Sequence, residues 1–216
     1  TLIVTNAAGG LNPAFAAGWD NQAVEVDGND YLNVQNGQNL HLRDGGTISA
    51  WVKTDQLPGD WATLAGKGRL AWRLCRYGSG NAAAFHFNAS GAEYQANGND
   101  PVLDNQWHHL VGTYDGETLS LYVDGQLDAA VSASGPVNVN ADPVYIANRS
   151  DTDRFWQGLV DDVRIYNYAL SPKTVRALYN GYPCYEVLAV DLNADCRVNA
   201  EDLALFTNEW LIDGMQ

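Results

Sequence analysis

From Ala23 to Asn167 the chain consists of short runs in which apolar and polar residues alternate, each closed by Gly, Asn, Asp or Pro. A period of two marks a strand whose side chains point by turns to opposite faces. The runs are Ala23–Val26, Tyr31–Val34, Thr47–Lys53, Trp61–Lys67, Leu70–Arg76, Ala83–Phe87, Trp107–Asp115, Leu119–Asp124, Gln126–Val131, Val144–Ala147 and Phe155–Asn167. Asp27-Gly28-Asn29 between the first two predicts a hairpin. In Leu119–Asp124, Leu119, Leu121 and Val123 share one face, while Ser120, Tyr122 and Asp124 share the other. In Val160–Tyr166, Val163 and Ile165 oppose Asp162, Arg164 and Tyr166. Strands of this pattern are buried on one side only, as in two packed antiparallel sheets. The expectation is an all-β sandwich or jelly roll.

Ser171-Pro172 then opens a short helix, with Ser as N-cap and Pro at the first helical position. Val175, Leu178 and Tyr179 form its apolar face, and Gly181 stops it. The sandwich is expected to span residues 1–181, followed by a small helical appendage over 182–216. The chain opens on a strand-like Thr1–Thr5 without a signal peptide, so it reads as a mature or trimmed fragment.

The appendage carries Asp191–Asp202, a twelve-residue stretch with oxygen-bearing side chains at calcium-loop spacing. Asp191, Asn193 and Asp195 offer side-chain oxygens, and Arg197 gives its backbone carbonyl. Asn199 acts through a water, and Asp202 closes the loop as a bidentate ligand. Cys196 stands where EF-hands place Gly, and Asp202 where they place Glu. Leu203, Phe206, Trp210 and Leu211 follow at helical spacing. A disulfide between Cys184 and Cys196 would stabilise the short loop by about 3 kcal/mol on the chain-entropy model and implies an oxidising compartment. Cys75 is left over and reads as a half-buried thiol in a strand, with nothing nearby to make it a nucleophile.

A net charge of −14 argues against a nucleic-acid partner, whose phosphates call for Lys and Arg. No apolar run is long enough to span a bilayer. Few charges with abundant Gly, Asn, Tyr and Trp fit a secreted, turn-rich β protein. Trp51 and Trp107 read as core. Trp61, Trp72 and Trp156, joined by Tyr77 and Tyr94, are candidate surface rings for stacking on sugars, with sheet packing the plainer reading. His108 and His109 are adjacent on a strand, point to opposite sides, and lack a zinc-ligand pattern around them. His41 and His86 stand isolated. Asn88-Ala89-Ser90 and Asn148-Arg149-Ser150 match glycosylation acceptors.

Four motifs in order carry a family resemblance: Val26–Val34, Thr47–Asp55, Trp107–Leu127 and Gly158–Gly181. Together they resemble the laminin-G-like, concanavalin-A-type jelly roll of secreted bacterial proteins, over roughly residues 1–181. The resemblance implies a curved two-sheet sandwich of about a dozen strands and a structural role for the Trp-His-His strand. It places Asp161-Asp162 and Asn29-Asp30 where related jelly rolls often gather a structural calcium, though solvated turn carboxylates explain them as well. Laminarinase-type hydrolases share the fold and use an E-x-D-x-x-E strand. Here Glu25 and Asp27 share a face, but Asp30 leaves it and the second Glu is absent, so catalysis is not expected. Family members usually begin with an extra aromatic-rich strand that this chain lacks, which suggests strand donation between subunits or a trimmed start. The loop and its helix resemble one half of a dockerin repeat.

The expected protein is therefore an extracellular, non-catalytic recognition or adhesion module with Ca2+ as its cofactor. Its expected ligand is a polysaccharide or cell-surface glycan, by fold analogy alone. The alternative is a self-associating subunit of a fibre or surface layer, and behind it a degenerate glycosidase.

Overall fold

The computed structural model describes residues 14–181, apart from residues 35–36, 38–39, 57 and 150–153. The appendage from residue 182 onward, with the calcium-loop residues, Cys184 and Cys196, lies outside the described residues.

Two antiparallel sheets face each other. The larger runs β1 (Ala14–Ala17), β2 (Gln22–Asp27), β13 (Gln157–Tyr166), β4 (Gly46–Lys53), β9 (His108–Tyr114), β10 (Thr118–Val123) and β11 (Gln126–Ser132). The smaller runs β3 (Leu32–Val34), β12 (Val144–Ile146), β5 (Thr63–Lys67), β6 (Trp72–Arg76), β7 (Ala82–Ala89) and β8 (Ala92–Pro101). The alternation puts Ile48, Leu119 and Leu121 of one sheet against Leu74, Phe85 and Phe87 of the other, all fully buried in one core. Packing is close enough to dictate a glycine. A Cβ on Gly112 in β9 would sit 2.2 Å from Cγ of Phe85 on the facing sheet.

The chain departs from the sequence pattern in four places. Asp27-Gly28 does not close a hairpin, because β2 pairs with β1 and β13 while β3 pairs with β12 in the other sheet. The turn is a crossing between layers. Asp27 Oδ1 accepts from the Asn29 amide at 2.9 Å, and Gly28 takes φ 93°, which turns the chain away from its neighbour. Second, a short edge strand that the alternation does not mark, Ala14–Ala17, pairs with β2. Third, β8 is a full strand. Its residues Ala92–Pro101 hold too few apolar side chains to signal one, yet they pair along β7.

Fourth, β9 and β10 are buried on both sides. The helix α1 (Pro172–Tyr179) lies over the outer face of the larger sheet, where Val175, Leu178 and Leu170 cluster with Val111 and Tyr122. Its ends follow the sequence: the Ser171 side chain accepts from the Thr174 amide at 3.1 Å, Pro172 opens the first turn, and Gly181 has φ 75°. Among the described residues no helix is long and apolar enough to cross a membrane.

Candidate functional site

With one face of the larger sheet under α1, the outer face of the smaller sheet is the place to look for chemistry. In β6, Trp72 and Leu74 point inward, so Arg73 and Cys75 point outward. In β7, Phe85 and Phe87 point inward, which turns Ala84, His86 and Asn88 out. In β8, Ala96 is core, which turns Glu93, Gln95 and Asn97 out. The register then lines up Asn33, Tyr145, Gly66, Arg73, His86 and Gln95 as one row across all six strands.

Arg73 organises that row. Its Nη2 donates to Glu93 Oε1 at 3.0 Å and lies 2.7 Å from His86 Nδ1, which is itself 3.1 Å from Glu93 Oε1. A guanidinium can only donate, so Nδ1 of His86 accepts and the ring hydrogen falls on Nε2. Burial, reinforced by the Arg73 charge, pushes the His86 pKa down to about 4, so the ring is neutral near pH 7. Among the described residues His86 Nε2, Arg73 Nε and Asn97 Oδ1 are buried with no hydrogen-bond partner. Two donors and one acceptor are thus left unsatisfied on one face, against the usual rule for buried polar atoms.

Two aromatic rings stand at the end of this floor. Trp61, just before β5, presents its ring edge-to-face to His86 (5.2 Å between centroids, 80° between planes). Arg73 Cζ lies 6.0 Å from the Trp61 ring centre. Tyr77, just after β6, meets Trp61 at 5.6 Å and 66°. Tyr77 is 39 % exposed, and Trp61 is half-buried. Trp61 takes φ 59°, the left-handed region that bulky side chains rarely enter. Its amide donates to Gly78 O at 3.0 Å, which ties the two aromatic segments together. Arg76 braces them from below: its guanidinium donates to Gly80 O at 2.7 Å and also to Pro58 O and Ser79 O. At the opposite end of the row Tyr31 packs on Tyr145 at 4.3 Å.

Of the four candidate stacking rings, the structure brings Trp61 and Tyr77 together and withdraws the other two. Trp72 and Trp156 are each 1 % exposed within the core, so neither has a ring face open to a ligand. Tyr94 packs against the same core. Asn88 and Asn148 are also buried, Asn88 donating to Arg69 O and Asn148 accepting from the Arg154 amide, so neither offers its amide for glycosylation. Arg73, His86 and Glu93 have no local motif to announce them. They meet only through the register of three strands.

Elsewhere, a cleft of about 580 Å³ beside β2 gathers Glu25, Asp27 and Asp30 with Lys53 and Asp55. The turn at Gly28 swings Asp30 back, so it shares this cleft rather than leaving it. Burial, then the Asp27 charge, raises the Asp30 pKa. Among the described residues no aromatic ring lines this cleft. Among the described residues no group of three His, Cys, Asp or Glu side chains is placed to hold a metal ion. Asp161 instead accepts from the Asp20 and Asp162 amides. His108 sits between Asp124 (2.9 Å) and Asp104 (3.0 Å), while His109 pairs with Ser49 (2.9 Å), so both are structural. Cys75 is fully buried, and desolvation pushes its thiol up to about 11.

Comparison with known proteins places the fold. A family model described as the concanavalin A-like lectin/glucanases superfamily matches residues 26–176. Among solved structures, the binding domain of Paraclostridial Mosquitocidal Protein 1 superposes with a TM-score of 0.66 at 16 % identity, over 78 % of this chain and 45 % of that one. This chain thus spans under half the length of that domain. Domain 4 of AbnA, an extracellular arabinanase from Geobacillus stearothermophilus solved with arabinotriose, gives 0.64 at 22 % identity, over 79 % and 82 %. A structure of botulinum neurotoxin type C, whose cell entry depends on two ganglioside molecules, gives 0.53 at 16 %, over 82 % and 45 %. No curated protein sequence matches the chain. At these identities the structural likeness concerns the fold.

Proposed function

This chain belongs to the concanavalin A-like lectin/glucanase superfamily, and on that footing we propose that it is a non-catalytic glycan-binding module that works outside the cell. The observation that carries the reading is the outer face of the smaller sheet. It holds the Trp61 and Tyr77 rings beside polar side chains of β8, with Glu93 exposed and Gln95 and Asn97 half-buried, over a buried Arg73–His86 pair that braces them. A sugar ring has apolar C–H faces and a rim of hydroxyls, each both donor and acceptor. Rings such as Trp61 suit the first, and planar side chains such as Glu93, Gln95 and Asn97 suit the second. Two similar folds support it, one solved with arabinotriose and one from a toxin whose cell entry depends on gangliosides. The first of these belongs to an extracellular enzyme, which agrees with an extracellular setting.

Asp191, Asn193, Asp195, Arg197, Asn199 and Asp202 are proposed to hold a calcium ion, on the chemistry and spacing of their oxygens. Bound there, the ion would contribute to folding of the appendage.

A glycan array probed with the wild-type protein and with Trp61→Ala tests the reading. The expected result is binding to a defined glycan set, weakened at least about tenfold by the substitution, the scale of a lost hot-spot ring. Silence across the array, or equal binding by both proteins, would contradict it.

A further inference from the structure

We infer that this face takes a single free glycan chain, one sugar ring lodged in the angle between Trp61 and Tyr77, and not the flat surface of a crystalline polysaccharide. The inference rests on the glycan reading above and narrows it to a ligand class.

The geometry decides between the two. A crystalline polysaccharide presents sugar rings in one plane, so a protein that adsorbs to it needs aromatic faces lying in one plane as well. Trp61 and Tyr77 stand 66° apart and cannot both lie flat on such a surface. Tyr31 and Tyr145, at the other end of the row, are tilted 32° to each other. Among the described residues the other exposed rings, Phe15, Trp19 and Tyr168, belong to β1, to the turn that stacks on Trp51 of β4, and to the segment after β13. They lie with the larger sheet and cannot extend a platform on the smaller one.

The corner does suit one sugar. Arg73 sits over the Trp61 ring, which leaves a single ring face for a ligand. A sugar against that face has its edge toward Tyr77. Its hydroxyl rim then meets the outward side chains of β8, where Glu93 is exposed and Gln95 and Asn97 are half-buried. Both rings therefore grip the same sugar.

Two measurements separate this from the alternatives. The first compares retardation in gels containing soluble arabinan, xylan or β-glucan with co-sedimentation on microcrystalline cellulose and chitin. Retardation by a soluble glycan without adsorption to the powders is expected. Adsorption to a powder that Trp61→Ala abolishes would overturn the inference and leave the glycan reading standing. No binding in either format would overturn both.

The second is a double-mutant cycle with Trp61→Ala and Tyr77→Ala, each checked for folding by circular dichroism. Rings that share one sugar give a double variant that loses less than the product of the two single losses. Independent, multiplying losses would mean two separate sugars and would overturn the corner. Tyr77 is exposed, so its variant remains informative if Trp61→Ala fails to fold.

Discussion

Trp61 is the residue on which the reading turns. A tryptophan at φ 59° costs on the order of 1–3 kcal/mol and persists only where its surroundings impose it. Here the Gly78 carbonyl holds its amide, and His86 and Arg73 hold its ring. Beneath it, His86 makes a pH prediction. Burial keeps the His86 and His109 pKa values at about 4, against an ordinary value near 6.5. Unfolded chains take up these protons near 6.5, folded ones not until about 4. Their contribution is therefore complete above pH 6.5 and is lost as the pH falls toward 4, on the order of 3 kcal/mol each. Urea midpoints should drop between pH 7 and pH 4.5, and His86→Gln should flatten that drop; an unchanged slope would contradict the burial argument. Trp61 and Tyr77 were legible in the sequence as exposed-ring candidates. Trp72 took the plainer of its two readings, sheet packing, as the inward parity of Leu74 two residues on requires. The Arg73–His86–Glu93 group was illegible, since an isolated histidine acquires meaning only from strands that are distant in sequence.

At the level of elements, alternation revealed most strands but not their partners. Asp27-Gly28 shows why: the same dipeptide serves a hairpin or a crossing between sheets, and only the pairing of β2 with β13 decides. β8 carries little signal because its inward positions offer only Tyr94, Ala96 and Gly98, too little apolar surface for alternation to show. The helix α1 was legible from its caps, but its seat on β9 and β10 was not. Sheet-to-sheet packing gives the test at this scale. Gly112→Ala would force a methyl group against Phe85 and should destabilise by about 1–3 kcal/mol, the usual cost of overpacking. Denaturant unfolding measures it. A neutral effect would mean that the two sheets are less tightly apposed there than described.

For the whole molecule, the proposed glycan face and the proposed calcium loop draw on different residues. The groups proposed to meet the glycan are side chains of the smaller sheet and its flanking loops, none of them among Asp191–Asp202. Chelation should therefore lower the melting temperature of the appendage while leaving glycan affinity within about twofold, on the scale of independent sites. Calorimetry and titration with and without chelator read both; a joint loss would show that the two are coupled. The central claim concerns where the glycan sits, and NMR of the indole N–H groups tests it most directly. Seven tryptophans give seven reporters. Titration with the strongest glycan from the array should shift the Trp61 indole most and leave those of Trp19 and Trp51, on the other sheet, in place. The largest shift at Trp19 with Trp61 unmoved would place the ligand on the opposite face and contradict the account.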